Sequence, residues 1–234
     1  MLVAAAVVPC PPLIVPELAR GAAAESDALR AACDEALAAL ADASPERLIV
    51  VGAGPVDERL PHGGVGSFAP YGVDLDVTLG AGGGVLPPAL TIAAWLLGRP
   101  AWAASGAAAC PVEGVVVAGD AEPGRCVGLG RALADGDERI ALLVVGDGSA
   151  CRTEKAPGYL DERATPYDAA IATALATGDD AALAALDAPL ADALWVAGRP
   201  AWQVLAGAAG PGRGARLLYD EAPYGVGYFV AVWS

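Results

Sequence analysis

Histidine, lysine and methionine are nearly missing from this 234-residue chain, which has one histidine (His62), one lysine (Lys155) and one methionine. A single imidazole rules out any centre built on two or more histidines. A single lysine bears on the glycine run Gly80-Ala81-Gly82-Gly83-Gly84. That run fits neither G-x-G-x-x-G nor a phosphate-binding loop with its lysine, and reads as a flexible turn. Positive charge is scarce too. Twenty-eight acidic residues face fourteen basic ones, for a net charge of −14, which argues against nucleic acid or an anionic membrane surface as partner. No apolar run approaches the ~20 residues of a spanning helix. The five cysteines include no C-x-x-C pair. A disulfide framework or structural zinc site is therefore not expected, and a reducing cytoplasm is the expected compartment.

What is present is an alternation of short apolar runs with helical stretches. Strands are expected at Leu2–Val8, Leu48–Val51, Val73–Leu79, Val115–Val117, Ile140–Val145, Ala215–Tyr219 and Gly225–Val232. Helices are expected over Ala23–Ala41, Pro88–Leu97, Gly124–Ala134, Pro166–Ala176, Asp180–Leu186 and Ala191–Ala209, the last broken at Gly198. The opening Met1–Val8 lacks a basic start and runs into Pro9-Cys10-Pro11-Pro12, so it reads as a first strand rather than a signal peptide. The pattern is that of one α/β domain over residues 1–234, with a central mostly parallel or mixed sheet flanked by helices. One pentapeptide recurs: Gly98-Arg99-Pro100-Ala101-Trp102 and Gly198-Arg199-Pro200-Ala201-Trp202. Its plain reading is a helix stop at glycine and a restart with proline in the first turn.

Ligands of α/β sheets sit beyond the carboxyl ends of the strands. Four segments occupy such ends: Pro9-Cys10-Pro11-Pro12, Gly52-Ala53-Gly54-Pro55, Gly146-Asp147-Gly148-Ser149-Ala150, and Glu221-Ala222-Pro223-Tyr224-Gly225-Val226-Gly227-Tyr228. In this order they resemble the LigB-like superfamily of class III extradiol ring-cleavage dioxygenases and its Memo-like relatives. The likeness runs along nearly the whole chain and includes Ala156-Pro157-Gly158-Tyr159 and Pro166-Tyr167-Asp168.

The resemblance implies the α/β fold of the extradiol dioxygenases and an Fe(II) held by two histidines and a glutamate, with a further histidine as acid/base. Those roles fall on Cys10, on Ala53 or Gly54, on Ala150, and on Glu221. Only the glutamate matches, so the expected protein is a relative that has lost its iron site. Its old crevice, lined by Cys10, Pro12, Ala53, Gly54, Asp147, Ser149, Ala150, Glu221 and Tyr224, would bind a small molecule or a protein, with no cofactor.

The alternative is a repurposed enzyme. It would use His62 as general base and Asp147 as a second catalytic group, act on a small molecule through the Cys10 thiol, or hold zinc or iron on Cys10, His62 and Glu221. Asp147 is otherwise expected to cap the segment that follows it. A homo-oligomer joined through Trp102 or Trp202 is the expected assembly.

Overall fold

The computed structural model describes residues 1–210 and 212–234. Ten strands form two sheets: β1 (Leu2–Val8), β2 (Arg47–Gly54), β3 (Glu58–Leu60), β4 (Gly63–Ser67), β5 (Asp76–Gly80), β6 (Gly84–Val85), β7 (Val112–Ala118), β8 (Ile140–Val145), β9 (Ala215–Glu221) and β10 (Tyr228–Trp233). The main sheet has seven strands in the order β3-β7-β2-β8-β1-β10-β9, and β5-β4-β6 form a small second sheet. Strands β7, β2, β8 and β1 are mutually parallel, while β3, β10 and β9 add antiparallel edges. This is the mixed α/β sheet expected.

The central strands read as unbroken apolar runs because both faces are covered. Alternate residues serve two cores. Ala5, Val7, Ile49, Val51, Leu142 and Val144 meet helices Pro123–Ala134, Ala164–Thr177 and Arg199–Ala209 on the first face. Ala6, Val8, Leu48, Val50, Leu143 and Val145 meet helices Asp27–Asp42 and Pro88–Leu97 and the small sheet on the second.

The connection from β1 leaves toward the second face and those from β7 and β8 toward the first, whereas β2 runs across the end of β7 into β3, where Asp57 accepts from Ala118 N–H, before its chain reaches the second face. The neighbours β8 and β1 therefore part their chains above their carboxyl ends, the kind of place where α/β sheets bind ligands.

Strands β3, β4 and β6 lie where the sequence pattern reads as loop and turn, and β5 begins at Asp76 rather than at Val73. The expected helix from Ala23 begins as a 3-10 turn and becomes α-helical only at Asp27. Among the described residues, no helix is long and apolar enough to cross a membrane.

Candidate functional site at the carboxyl edge

Prolines 9, 11 and 12 have no N–H, so Cys10 holds the only backbone donor of the Pro9–Pro12 turn. That donor goes to Asp147 Oδ1 at 2.7 Å. The pairing follows from register: Val8 stands beside Val145 in the parallel β1–β8 ladder, so two residues on, Cys10 stands beside Asp147. On the other side Val7 faces Ala231 in the antiparallel β1–β10 pair, which brings Tyr228 level with Cys10. Tyr228 in turn pairs with Glu221 on β9. Asp147, Cys10, Tyr228 and Glu221 thus form one row across four strands at the carboxyl edge.

The middle of the row is strongly coupled. Burial lifts the Asp147 carboxyl from 3.8 to about 6, against the opposing pull of the Cys10 N–H. Burial, and then the charge of Asp147, push the Cys10 thiol well above its ordinary value. Tyr228 is 5% exposed. Its phenol is raised by the same burial and by Asp147 and Cys10. At neutral pH the thiol and phenol stay protonated beside a carboxyl that titrates near neutrality. At the outer end Glu221 is exposed and accepts from the Tyr219 hydroxyl at 3.3 Å. Tyr224 donates to Glu25 Oε2 at 2.8 Å, tying the crevice rim to the segment after β1.

Asp147 does not cap the segment after it, since its side chain is taken by Cys10. Its carbonyl instead accepts Gly198 N–H at 2.8 Å, which sets the start of helix Arg199–Ala209 beside the row. Gly146 permits this contact, because a Cβ there would meet the Gly198 nitrogen at 3.0 Å.

Ser149 also departs from expectation. It is fully buried, its Oγ donates to Asp168 Oδ2 at 2.7 Å and its N–H to Oδ1 at 2.9 Å. Arg152 completes the clamp with an ion pair to Asp168 at 2.9 Å. Ser149 is therefore a brace for the β8 loop rather than part of the crevice lining. Ala150 is buried beside it, its N–H bonded to Leu194. Pro12 starts a single 3-10 turn that carries the chain to Ile14 in the second core.

His62 lies at the wrong end of the sheet. Leu60 pairs with Gly114, and the antiparallel β3 carries the chain on toward the start of β7. There His62 borders a cleft of about 520 Å³ with Cys110 and Val112. Val112 is level with Leu48, whereas Cys10 lies beyond the level of Gly52. Cys10, two residues past Val8, is level with Gly54, so six residues along the strands (~20 Å) and three strand spacings (~14 Å) put His62 roughly 25 Å from Cys10. Cys10 and Glu221 share the edge row, but His62 does not join them.

The iron site implied by the resemblance does not fit these residues. Ala53, Gly54 and Ala150 have no donor atoms, and Cys10 has its thiol held protonated against a carboxyl. Among the described residues, no group of three or more His, Cys, Asp or Glu side chains is placed to hold a metal ion.

Ala53 and Gly54 do line a cleft, of about 680 Å³, over the carboxyl ends of β2 and β7. Its other walls come from residues not singled out in the sequence, above all Trp195 and Arg199. The repeated pentapeptide was the one signal pointing to Arg199. Trp102 and Trp202, the expected oligomer contacts, are buried at 3% and 0% exposure, whereas Trp195 is 60% exposed.

No family model matches the chain and no curated protein matches it. Among solved structures, the crystal structure of the uncharacterized protein JW3007 from Escherichia coli K12 is similar over 99% of both chains, with a TM-score of 0.57 at 13% identity. At that identity the likeness is one of fold, and it supports the α/β architecture described above.

Proposed function

We propose that this chain is a small-molecule-binding relative of the extradiol ring-cleavage dioxygenases, one that keeps the crevice of that scaffold without its iron chemistry. The observation that carries this reading is the edge row. At the position the resemblance gives to the first iron ligand stands Cys10, locked to Asp147, while the chain's one imidazole sits roughly 25 Å away. A cleft remains at the carboxyl edge, over the ends of β2 and β7, and this edge is where α/β proteins bind ligands.

The test has two arms. Anaerobic loading with Fe(II), followed by metal analysis and a catechol ring-opening assay, should give sub-stoichiometric iron and no ring-opened product. A thermal-shift screen of chemically diverse small molecules should yield stabilising compounds whose amide shift perturbations map to the carboxyl edge. Stoichiometric iron lost in Cys10→Ser or Glu221→Ala would overturn the reading, as would a screen with no stabilising compound.

A second reading is favoured by one observation, the carboxyl of Asp147 at about 6. A half-buried acid with that value exchanges a proton readily at neutral pH, which suits general acid–base catalysis. The protonated thiol of Cys10 does not suit nucleophilic attack, so this reading rests on Asp147. A ligand that is chemically altered by the wild type but only bound by Asp147→Asn would establish it.

A further inference from the structure

We propose that the cleft between β2, β7 and the start of helix Arg199–Ala209 is an anion subsite. In it Arg199 receives the carboxylate or phosphate of a small organic molecule with an apolar body. The proposal rests on the small-molecule reading above and names the ligand's chemical class.

Arg199 is 3% exposed, yet no carboxylate among the described residues lies within ion-pair reach of it. Burying a guanidinium without an opposite charge is costly. The other copy of the pentapeptide shows the usual solution. Arg99 grips Asp34 with Nε at 2.7 Å and Nη2 at 2.5 Å, and lies 5.2 Å above the ring of Trp95.

At Arg199, Nη1 donates to Ala121 O at 2.6 Å and Gln203 Oε1 at 3.0 Å, and Nη2 to Gly119 O at 2.7 Å. Nε–H and one Nη2 hydrogen take no protein acceptor, and Nε is not sealed from solvent as Arg47 Nε is. These are the same two nitrogens with which Arg99 holds its carboxylate. The fork is formed, and its anion is absent from the chain.

Arg199 also opens an eleven-residue helix. The backbone N–H groups of Arg199 and Ala201 have no hydrogen-bond partner among the described residues, and Pro200 has no N–H to offer. A helix N-terminus with free donors favours negative charge. Around this pole the cleft is apolar, with Ala53, Pro189 and Val196 on its walls and Trp195 at its mouth. Trp195 is held at φ 56°, a left-handed value that bulky residues rarely adopt. Asp120 and Asp192 also line the cleft. They disfavour a second anionic group, so the ligand is a singly anchored anion with a neutral or cationic remainder.

The experiment is a titration of the full chain with inorganic phosphate and, separately, hexanoate, at constant ionic strength set by chloride. Trp195 fluorescence is the readout, with Trp195→Phe to assign the signal. At least one anion should saturate, phosphate marking phosphate esters and hexanoate marking carboxylates. Binding should weaken by about tenfold or more in Arg199→Met, as when a charge-assisted hydrogen bond is lost. Ala197→Trp, which fills the cleft from an exposed position and leaves the Arg199 bonds alone, should abolish it even if Arg199→Met does not fold. A wild type saturated by neither anion, or binding that survives Ala197→Trp, overturns the proposal. Neutral compounds that still stabilise the chain would then leave the small-molecule reading standing, whereas a barren screen would sink both.

Discussion

The backbone N–H of Cys10 and the carboxylate of Asp147 join the ends of two parallel strands across 137 residues of sequence, at 2.7 Å. The bond holds the Pro9–Pro12 turn in place, and it confines a carboxyl whose proton affinity is raised by its surroundings.

That carboxyl sets a pH dependence. An acid whose pKa rises on folding binds its proton more tightly in the folded chain, so stability falls as pH climbs from near 4 to about 6. The full shift corresponds to up to about 3 kcal/mol. Asp147→Asn keeps an oxygen for Cys10 N–H and removes the titration. Its urea midpoint should match or exceed the wild type at pH 7.5 and should lose the slope between pH 4 and 6. An unchanged slope in the variant would assign the effect to another group.

The same variant should change cysteine reactivity. Burial and the Asp147 charge both hold the Cys10 thiol protonated, and only the thiolate alkylates. With iodoacetamide at pH 8, peptide mass spectrometry should show Cys10 labelled several-fold faster in Asp147→Asn. Cys33, fully buried in the second core, should stay unlabelled in both proteins.

Asp168 is the brace of the β8 loop, 1% exposed and bonded to Ser149 twice and to Arg152. Removing one partner of a buried charged cluster strands the others, so Asp168→Ala should cost about 3–5 kcal/mol in denaturant unfolding. Ser149→Ala, which deletes one hydroxyl bond, should cost only about 1 kcal/mol.

Helices Pro123–Ala134 and Arg199–Ala209 cross with backbones in contact. A Cβ on Gly130 would run into the Val204 carbonyl, and one on Gly207 into that of Val127. Gly130→Ala should therefore destabilise by about 1–3 kcal/mol, despite alanine's better helix propensity. Circular dichroism melting of the variant checks it, and a stabilised variant would show that the helices can separate cheaply.

The frame was legible where burial on two faces writes an uninterrupted apolar run. Leu2–Val8, Ile140–Val145 and the helix Pro88–Leu97 end where their flanking glycines and prolines said they would. The small sheet was hidden for a physical reason. Its strands, such as Gly63-Gly64-Val65-Gly66-Ser67, carry little hydrophobic pattern. Their glycines answer to neighbouring backbone instead: a Cβ on Gly64 would run into the Gly84 carbonyl. The edge positions of Cys10, Asp147 and Glu221 could be read from strand ends, but their alignment into one row depends on register. Sequence placed His62 in a loop and left the end of the sheet open. Arg199 was visible only as half of an echo, since what separates it from Arg99 is the missing aspartate, a fact of tertiary structure.

The carboxyl ends of β7, β2, β8 and β1 belong to separate stretches of the chain, and this has a thermodynamic consequence. Each wall of the crevice comes from a different quarter of the chain, so no fragment or partly unfolded form contains the pocket. A ligand there recognises only the fully assembled molecule, and its whole binding energy appears as resistance to global unfolding. Stability should rise as RT ln(1 + [L]/Kd) with free ligand, with no lower-melting species along the way.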